Sequence, residues 1–227
     1  MTRKNLETHL QELRSELQAL GELVIQAAKD AMDALKRQDL EAARRVYQGD
    51  QVINSRRFDI EQHALITIAT QQPLAKDLRF LASVLDIAGE LERMGDYAKG
   101  IAKITLLLGD QPLIKPLIDL PRMTEIATGM LQRALQAFFA GDVETARRIP
   151  QEDDLVDQLY NQIYRELITI MLQRPQIIDQ ANFLIWAAHN IERFADRVTN
   201  ICERTIFTVT GEMVELDVSD DARFDIG

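Results

Sequence analysis

The stretch HNIERFADRVTNICER, His189 to Arg204, echoes GELERMGDYAKGIAK, Gly89 to Lys103, so that Glu-Arg-x-x-Asp stands at Glu92–Asp96 and again a hundred residues later at Glu192–Asp196. Two further blocks repeat at nearly the same distance. DLEAARR from Asp39 matches DVETARR from Asp142 at five of seven positions, 103 residues apart. LITIATQQP from Leu65 answers LITIMLQRP from Leu167 at a distance of 102. Offsets that drift by a residue or two between matched blocks are what a duplicated and diverged unit leaves behind. The chain therefore reads as two copies of one unit.

The unit is helical. In the first segment Leu10, Leu13, Leu17, Leu20, Val24, Ala28, Met32 and Leu35 recur at three-four spacing, one apolar face of a long helix. No segment alternates with the two-residue period of a strand. The pattern predicts helices over 3–37, 39–71, 74–108, 121–140, 142–174 and 176–210, with Asp39, Asp142 and Gln176 at breaks that suit helix starts. Pro150 lies inside the fifth and should kink or interrupt it, lacking a donor and crowding the preceding turn. GDQPLIKPLIDLP, residues 109 to 121, holds three of the six prolines and marks the boundary between halves. The expected architecture is all-α: a three-helix bundle over 1–108, a linker over 109–120, a second three-helix bundle over 121–211, and a loosely ordered acidic tail over 212–227.

Composition narrows the function. A formal charge of −10 over 227 residues, with no basic tract, is unsuited to a nucleic-acid backbone. No apolar run approaches the length of a membrane span, and the first residues lack the apolar core of a secretory signal, so a cytoplasmic location is expected. Cys202 stands alone, which rules out an intrachain disulfide and predicts a small buried hydrophobe. There is no P-loop and no GxSxG, and no catalytic residue is assigned.

The chemistry sits in acidic pairs. Residues four apart lie about 40° around a helix and roughly 6 Å along it, so Glu92 with Asp96, and Glu192 with Asp196, present carboxylates side by side. With 36 acids in 227 residues, chance alone supplies roughly five or six such spacings. Position distinguishes these two. Leu78, Leu81, Leu85 and Ala88 step along the third helix onto Glu92, and Ile185 and Ala188 lead onto Glu192, which places both pairs on or beside a packed stripe. There, adjacent like charges need a positive partner. The second helix of each unit adds another pair, Asp50 with Asn54 and Asp153 with Asp157, at an offset of 103. Neighbouring helices could gather these into clusters of hard oxygen ligands suited to magnesium, manganese, calcium or ferric iron rather than zinc or copper. The residues alone leave a second reading open, in which Arg93, Arg193 or Arg197 pair with the acids.

His9, His63 and His189 occupy non-equivalent positions and read as ordinary helix residues. Phe183 and Trp186 read as packing bulk. Arg44–Arg45 and Arg147–Arg148 read as solvated helix faces.

The paired motifs ELERMGDYAKGIAK and NIERFADRVTNICE, with QGDQVIN and QEDDLVD before them, closely resemble the PhoU family of phosphate-uptake regulators over residues 5 to 212. The resemblance implies two three-helix bundles and metal ions held on the bundle surface by acidic motifs. It also implies a cytoplasmic, often dimeric, non-enzymatic negative regulator that links the phosphate-specific ABC transporter to the sensor histidine kinase of the phosphate regulon. Carried over residue by residue, the metal positions are Asp50, Glu92 and Asp96 in the first unit and Asp153, Asp157, Glu192 and Asp196 in the second. Asn54 stands where the pattern prefers Asp, which implies a weaker first site. A plain helical adaptor without metal fits the same features nearly as well, and an accessory protein of a non-ABC phosphate transporter fits them less well. A di-iron enzyme would want Glu-x-x-His on its bundle helices, and no Glu here has His three residues later.

Overall fold

The computed structural model describes residues 3–216, and among these there is no strand. In the first half, α1 (Arg3–Arg37), α2 (Leu40–Gln71) and α3 (Ala75–Leu108) are joined by turns of two and three residues. In the second, α4 (Asp119–Ala140), α5 (Val143–Arg148), α6 (Asp153–Gln173) and α7 (Ile178–Thr210) follow. Pro150 breaks the predicted fifth helix: α5 ends at Arg148, residues Ile149–Glu152 form a 3-10 turn, and α6 resumes at Asp153. A second 3-10 turn, Pro175–Ile177, turns the chain into α7.

The repeated DLEAARR and DVETARR blocks begin helices for the same reason. The carboxylate of Asp39 accepts from the Ala42 amide at 2.9 Å, and that of Asp142 accepts from the Thr145 amide at 3.0 Å. Each satisfies an amide that has no partner within the helix. At the other end, α4 and α7 stop on Gly141 (φ 68°) and Gly211 (φ 83°), left-handed positions that a side chain would strain. Asp39→Ala should therefore lower stability by about 1 kcal/mol in urea unfolding, with Asp39→Asn close to the parent. The Asp142 carboxyl is held below its usual range, first by the Thr145 hydroxyl and then by the Thr145 amide. A depressed carboxyl stabilises the fold above its unfolded pKa, and that contribution is lost as pH falls through the folded value. Acid titration of Asp142→Ala should thus show a shallower loss of stability than the parent.

The apolar face of α1 is buried from Leu13 onward, with Leu13, Leu17, Leu20, Val24 and Leu35 fully covered and Leu10 partly buried before them. It meets α2 and α3, and also α4 across the halves, where Gly21 allows the close approach: a Cβ there would sit 2.3 Å from Leu135 Cδ1. The largest helix interface is α3 against α7, and one buried cluster runs through both halves. The α3–α7 seam is antiparallel and partly polar. Thr208 donates to Ser83 Oγ at 2.7 Å, and Asn200 donates to Glu90 at 3.1 Å. Asn190 packs against Gly100 so closely that a Cβ would lie 2.6 Å from its Oδ1. The Glu90–Asn200 and Asn190–Gly100 contacts exchange under the hundred-residue offset, so the duplication survives as an internal pseudo-twofold.

Three expectations change. Trp186 is 55% exposed and touches Phe183 edge-on at 5.8 Å, so it is surface rather than core bulk: the buried stripe of α7 runs through Leu184, Ala187, Ala188 and Ile191 beside it. Leu78, placed on the packed stripe of α3, is exposed, whereas Leu81, Val84, Ala88 and Leu91 are buried. The tail is not loose from its start, because Val214 and Leu216 pack on the core and the Leu216 amide donates to Glu203 at 2.9 Å. Residues 217–227 of that expected tail lie outside the described residues. Cys202 is buried and its thiol is pushed up to about 12 by burial, which leaves it an inert packing group. No described helix is long and apolar enough to cross a membrane.

Candidate metal-binding faces

On the first face, α2 supplies Asp50 and Asn54 and α3 supplies Glu92 and Asp96. Asp50 is 4% exposed, and its Oδ2 accepts from Asn54 Nδ2 at 3.0 Å. Its Oδ1 is buried without a hydrogen bond, an orphaned acceptor that a cation would satisfy. The Glu92 carboxyl is pushed up by burial, then by the charges of Asp96 and Asp50, with Arg57 opposing. The structure thus brings Asp50, Glu92 and Asp96 into one electrostatic cluster, with Asn54 held on Asp50.

A residue that sequence reasoning missed already stands among them. Lys99 Nζ lies 2.6 Å from Asp50 Oδ2 and 3.6 Å from Asp96 Oδ1. Its ammonium is held above the ordinary lysine range, chiefly by the Asp50 hydrogen bond. The arginines suggested as partners divide differently. Arg93 turns to Glu90 at 2.5 Å and Arg197 to Glu90 at 3.6 Å, across the α3–α7 seam.

On the second face, Glu192 and Asp196 lie one turn apart on α7. Arg193 does pair here, at 3.3 Å from Asp196 and 3.7 Å from Glu192. His189, read as a plain helix residue, reaches Glu192 at 3.3 Å, and its imidazole is pushed down by burial and then by Arg193. Glu192 also raises the Tyr160 hydroxyl pKa, after burial, so it faces α6 at that residue. Asp157 and Asp153 precede Tyr160 by one and two turns on the same stripe of α6. Antiparallel packing of α6 on α7 carries them towards Asp196.

Alignment of the halves exposes the difference between the faces. Lys99 corresponds to buried Thr199, and Arg57 to Tyr160, so two cations of the first face have neutral counterparts on the second. The second face pairs the carboxylates of Glu192 and Asp196 on α7, with Arg193 beside both, and Asp153 and Asp157 lie on the stripe of α6 that carries Tyr160. Its hard oxygens fit a divalent or ferric cation. The first fits one less well, with Lys99 already in that electrostatic role.

The fold and these faces define an internally duplicated helical bundle carrying acidic motifs in both halves. The family profile described as PhoU domain matches it twice, over residues 17–105 and 120–205. A "Phosphate-specific transport system accessory protein PhoU homolog" from Clostridium acetobutylicum is 34% identical over 218 residues, covering 96% of this chain and all of the relative. One of the same description from Aquifex aeolicus is 36% identical, covering 91% and 93%. The crystal structure of the phosphate transport system regulatory protein PhoU from Streptococcus pneumoniae superposes with a TM-score of 0.86 at 34% identity, over 93% of this chain and 100% of that one. That of PhoU from Pseudomonas aeruginosa gives 0.86 at 32%, over 91% and 99%. The chain belongs to the PhoU family.

Proposed function

We propose that this protein is a cytoplasmic accessory of the phosphate-specific ABC transporter. In this reading it is a negative regulator of phosphate uptake and of the phosphate regulon, joining the transporter to its sensor histidine kinase. The observation that carries this is the full-length match to relatives described as accessory proteins of that transport system. An adaptor needs rigid surface rather than a reaction centre, and a bundle with a continuous core and charged faces supplies it. Within this reading the protein is a homodimer whose faces bind a hard ion, iron, magnesium, manganese or calcium. Asp153, Asp157, Glu192 and Asp196 would hold it on the second face, and Asp50, Glu92 and Asp96 on the first, with Asn54 orienting Asp50. A bound ion would neutralise clustered carboxylates and stiffen α6 against α7.

Deleting the gene should leave phosphate-starvation reporters switched on in phosphate-replete medium, and the wild-type gene should restore repression. Tagged protein from replete cells should retain transporter and kinase. A reporter that stays repressed in the deletion strain overturns the regulatory reading. Retention of a non-ABC phosphate transporter instead would reassign the partner.

A further inference from the structure

Two of the three histidines meet. His9 and Glu12 on α1 converge with His63 on α2, and one ligand atom from each lies within 4.8 Å of the others. No sequence pattern connects residues 54 positions apart, yet His9 Nδ1 stands 3.1 Å from His63 Nε2. Glu12 Oε2 is 3.5 Å from His9 Nδ1 and 3.7 Å from His63 Nε2. Three donors on a tetrahedral zinc, at about 2.0–2.2 Å from the metal, are separated by about 3.3 Å, so the observed triangle matches one face of that tetrahedron.

The tautomers point the same way. His63 Nδ1 lies 3.1 Å from both oxygens of Glu16, so it carries the proton and donates. The other nitrogen, Nε2, is then the acceptor: without an ion it takes the proton of His9 Nδ1, and with Glu12 Oε2 3.7 Å away it is the lone pair that an ion replacing that proton would bind. The carboxylate behind the imidazole is also the usual arrangement for orienting a metal-bound histidine. His9, Glu12 and Glu16 fall on one stripe of α1, and the side chains of His9, Glu12 and His63 are 36%, 53% and 21% exposed, which leaves an open path for an ion.

We propose that His9, Glu12 and His63 form a zinc site, with Glu16 as the positioning residue behind His63 and the fourth coordination position open to solvent. Imidazole nitrogen selects it for zinc over magnesium or calcium, in contrast to the all-oxygen faces. The site is separated from Asp50 by thirteen residues of α2, or about 20 Å, and stands independently of the function proposed above.

The test uses the full chain, stripped with chelator and titrated with Zn2+ against a chromophoric competitor. One equivalent should bind, with an X-ray absorption signature of two imidazole nitrogens. His9→Asn and His63→Gln should each weaken that equivalent by about a hundredfold or more, and Glu16→Gln by about ten- to hundredfold through His63. Circular dichroism on each variant checks that the bundle persists. Asp196→Asn should leave the zinc equivalent intact, while His9→Asn should leave Mn2+ binding to the carboxylate faces intact. Zinc bound equally well by the His9→Asn, His63→Gln double variant, or lost on Asp196→Asn but not on His63→Gln, overturns the assignment. So does the absence of imidazole from the absorption spectrum.

Discussion

Replacing Lys99 with methionine should destabilise the metal-free protein by about 2–3 kcal/mol, below the roughly 3–5 kcal/mol typical of breaking a fully buried ion pair, because Lys99 keeps partial contact with solvent. The cost falls on Asp50. Its side chain is 4% exposed against 31% for Lys99, and loss of the 2.6 Å contact leaves its carboxylate with Asn54 as its remaining hydrogen-bond partner. Two further carboxylates, Glu92 and Asp96, then act on it without the ammonium between Asp50 and Asp96. Methionine keeps most of the length and apolar contact of the lysine stem, so the loss reports charge rather than a cavity. The same substitution removes the positive charge that competes with an incoming ion. Millimolar Mn2+ or Mg2+ should therefore recover stability in Lys99→Met by binding the folded state, and do so less in the parent. Urea unfolding with and without the ion measures both effects. Lys99→Met with parental stability and no cation-dependent recovery would show that Lys99 is not the counter-ion of this face.

The helices were legible in the sequence because their determinants are local. Three-four spacing, the N-cap aspartates Asp39 and Asp142, and Pro150 act within a turn or two of where they stand. The α1 stripe that begins the pattern is buried in the structure from Leu13 to Leu35. The acid sets were legible too, since four-residue spacing fixes a helix face. What could not be read was which neighbours reach those acids. Lys99 contacts Asp50 from another helix, 49 positions away, and the His9–His63 pair spans 54. Only the angle at which α2 packs on α1 and α3 decides such pairs. Trp186 shows the same limit within one helix, since a wide apolar stripe does not say which bulky residue lies at its exposed edge. The duplication does carry one signal of the difference between the faces: residue-by-residue alignment of the halves sets Lys99 against Thr199 and Arg57 against Tyr160, a charge inequality written in the sequence itself.

That inequality should appear as affinity. The second face should hold Mn2+ roughly ten- to a hundredfold more tightly than the first, because one additional carboxylate beside a partly solvated divalent ion contributes on the order of 1–3 kcal/mol. Asn54 lacks the charge that Asp157 supplies at the matching position. Lys99 and Arg57 weaken the first face further, whereas on the second Arg193 works in that direction, at 3.3 Å from Asp196. Asp196→Asn should thus remove more bound Mn2+ than Asn54→Ala, even though it also frees Arg193. Asn54→Asp should strengthen the first face, and combining it with Lys99→Met should bring it close to the second, since the pair restores the missing carboxylate and removes the nearest ammonium. Arg193→Gln should tighten the second face in turn. Calorimetric titration of each variant resolves the two classes of site. Identical affinities in the parent, unmoved by the Asn54→Asp, Lys99→Met combination, would mean that ligand charge does not govern these faces and that packing of α6 on α7 does.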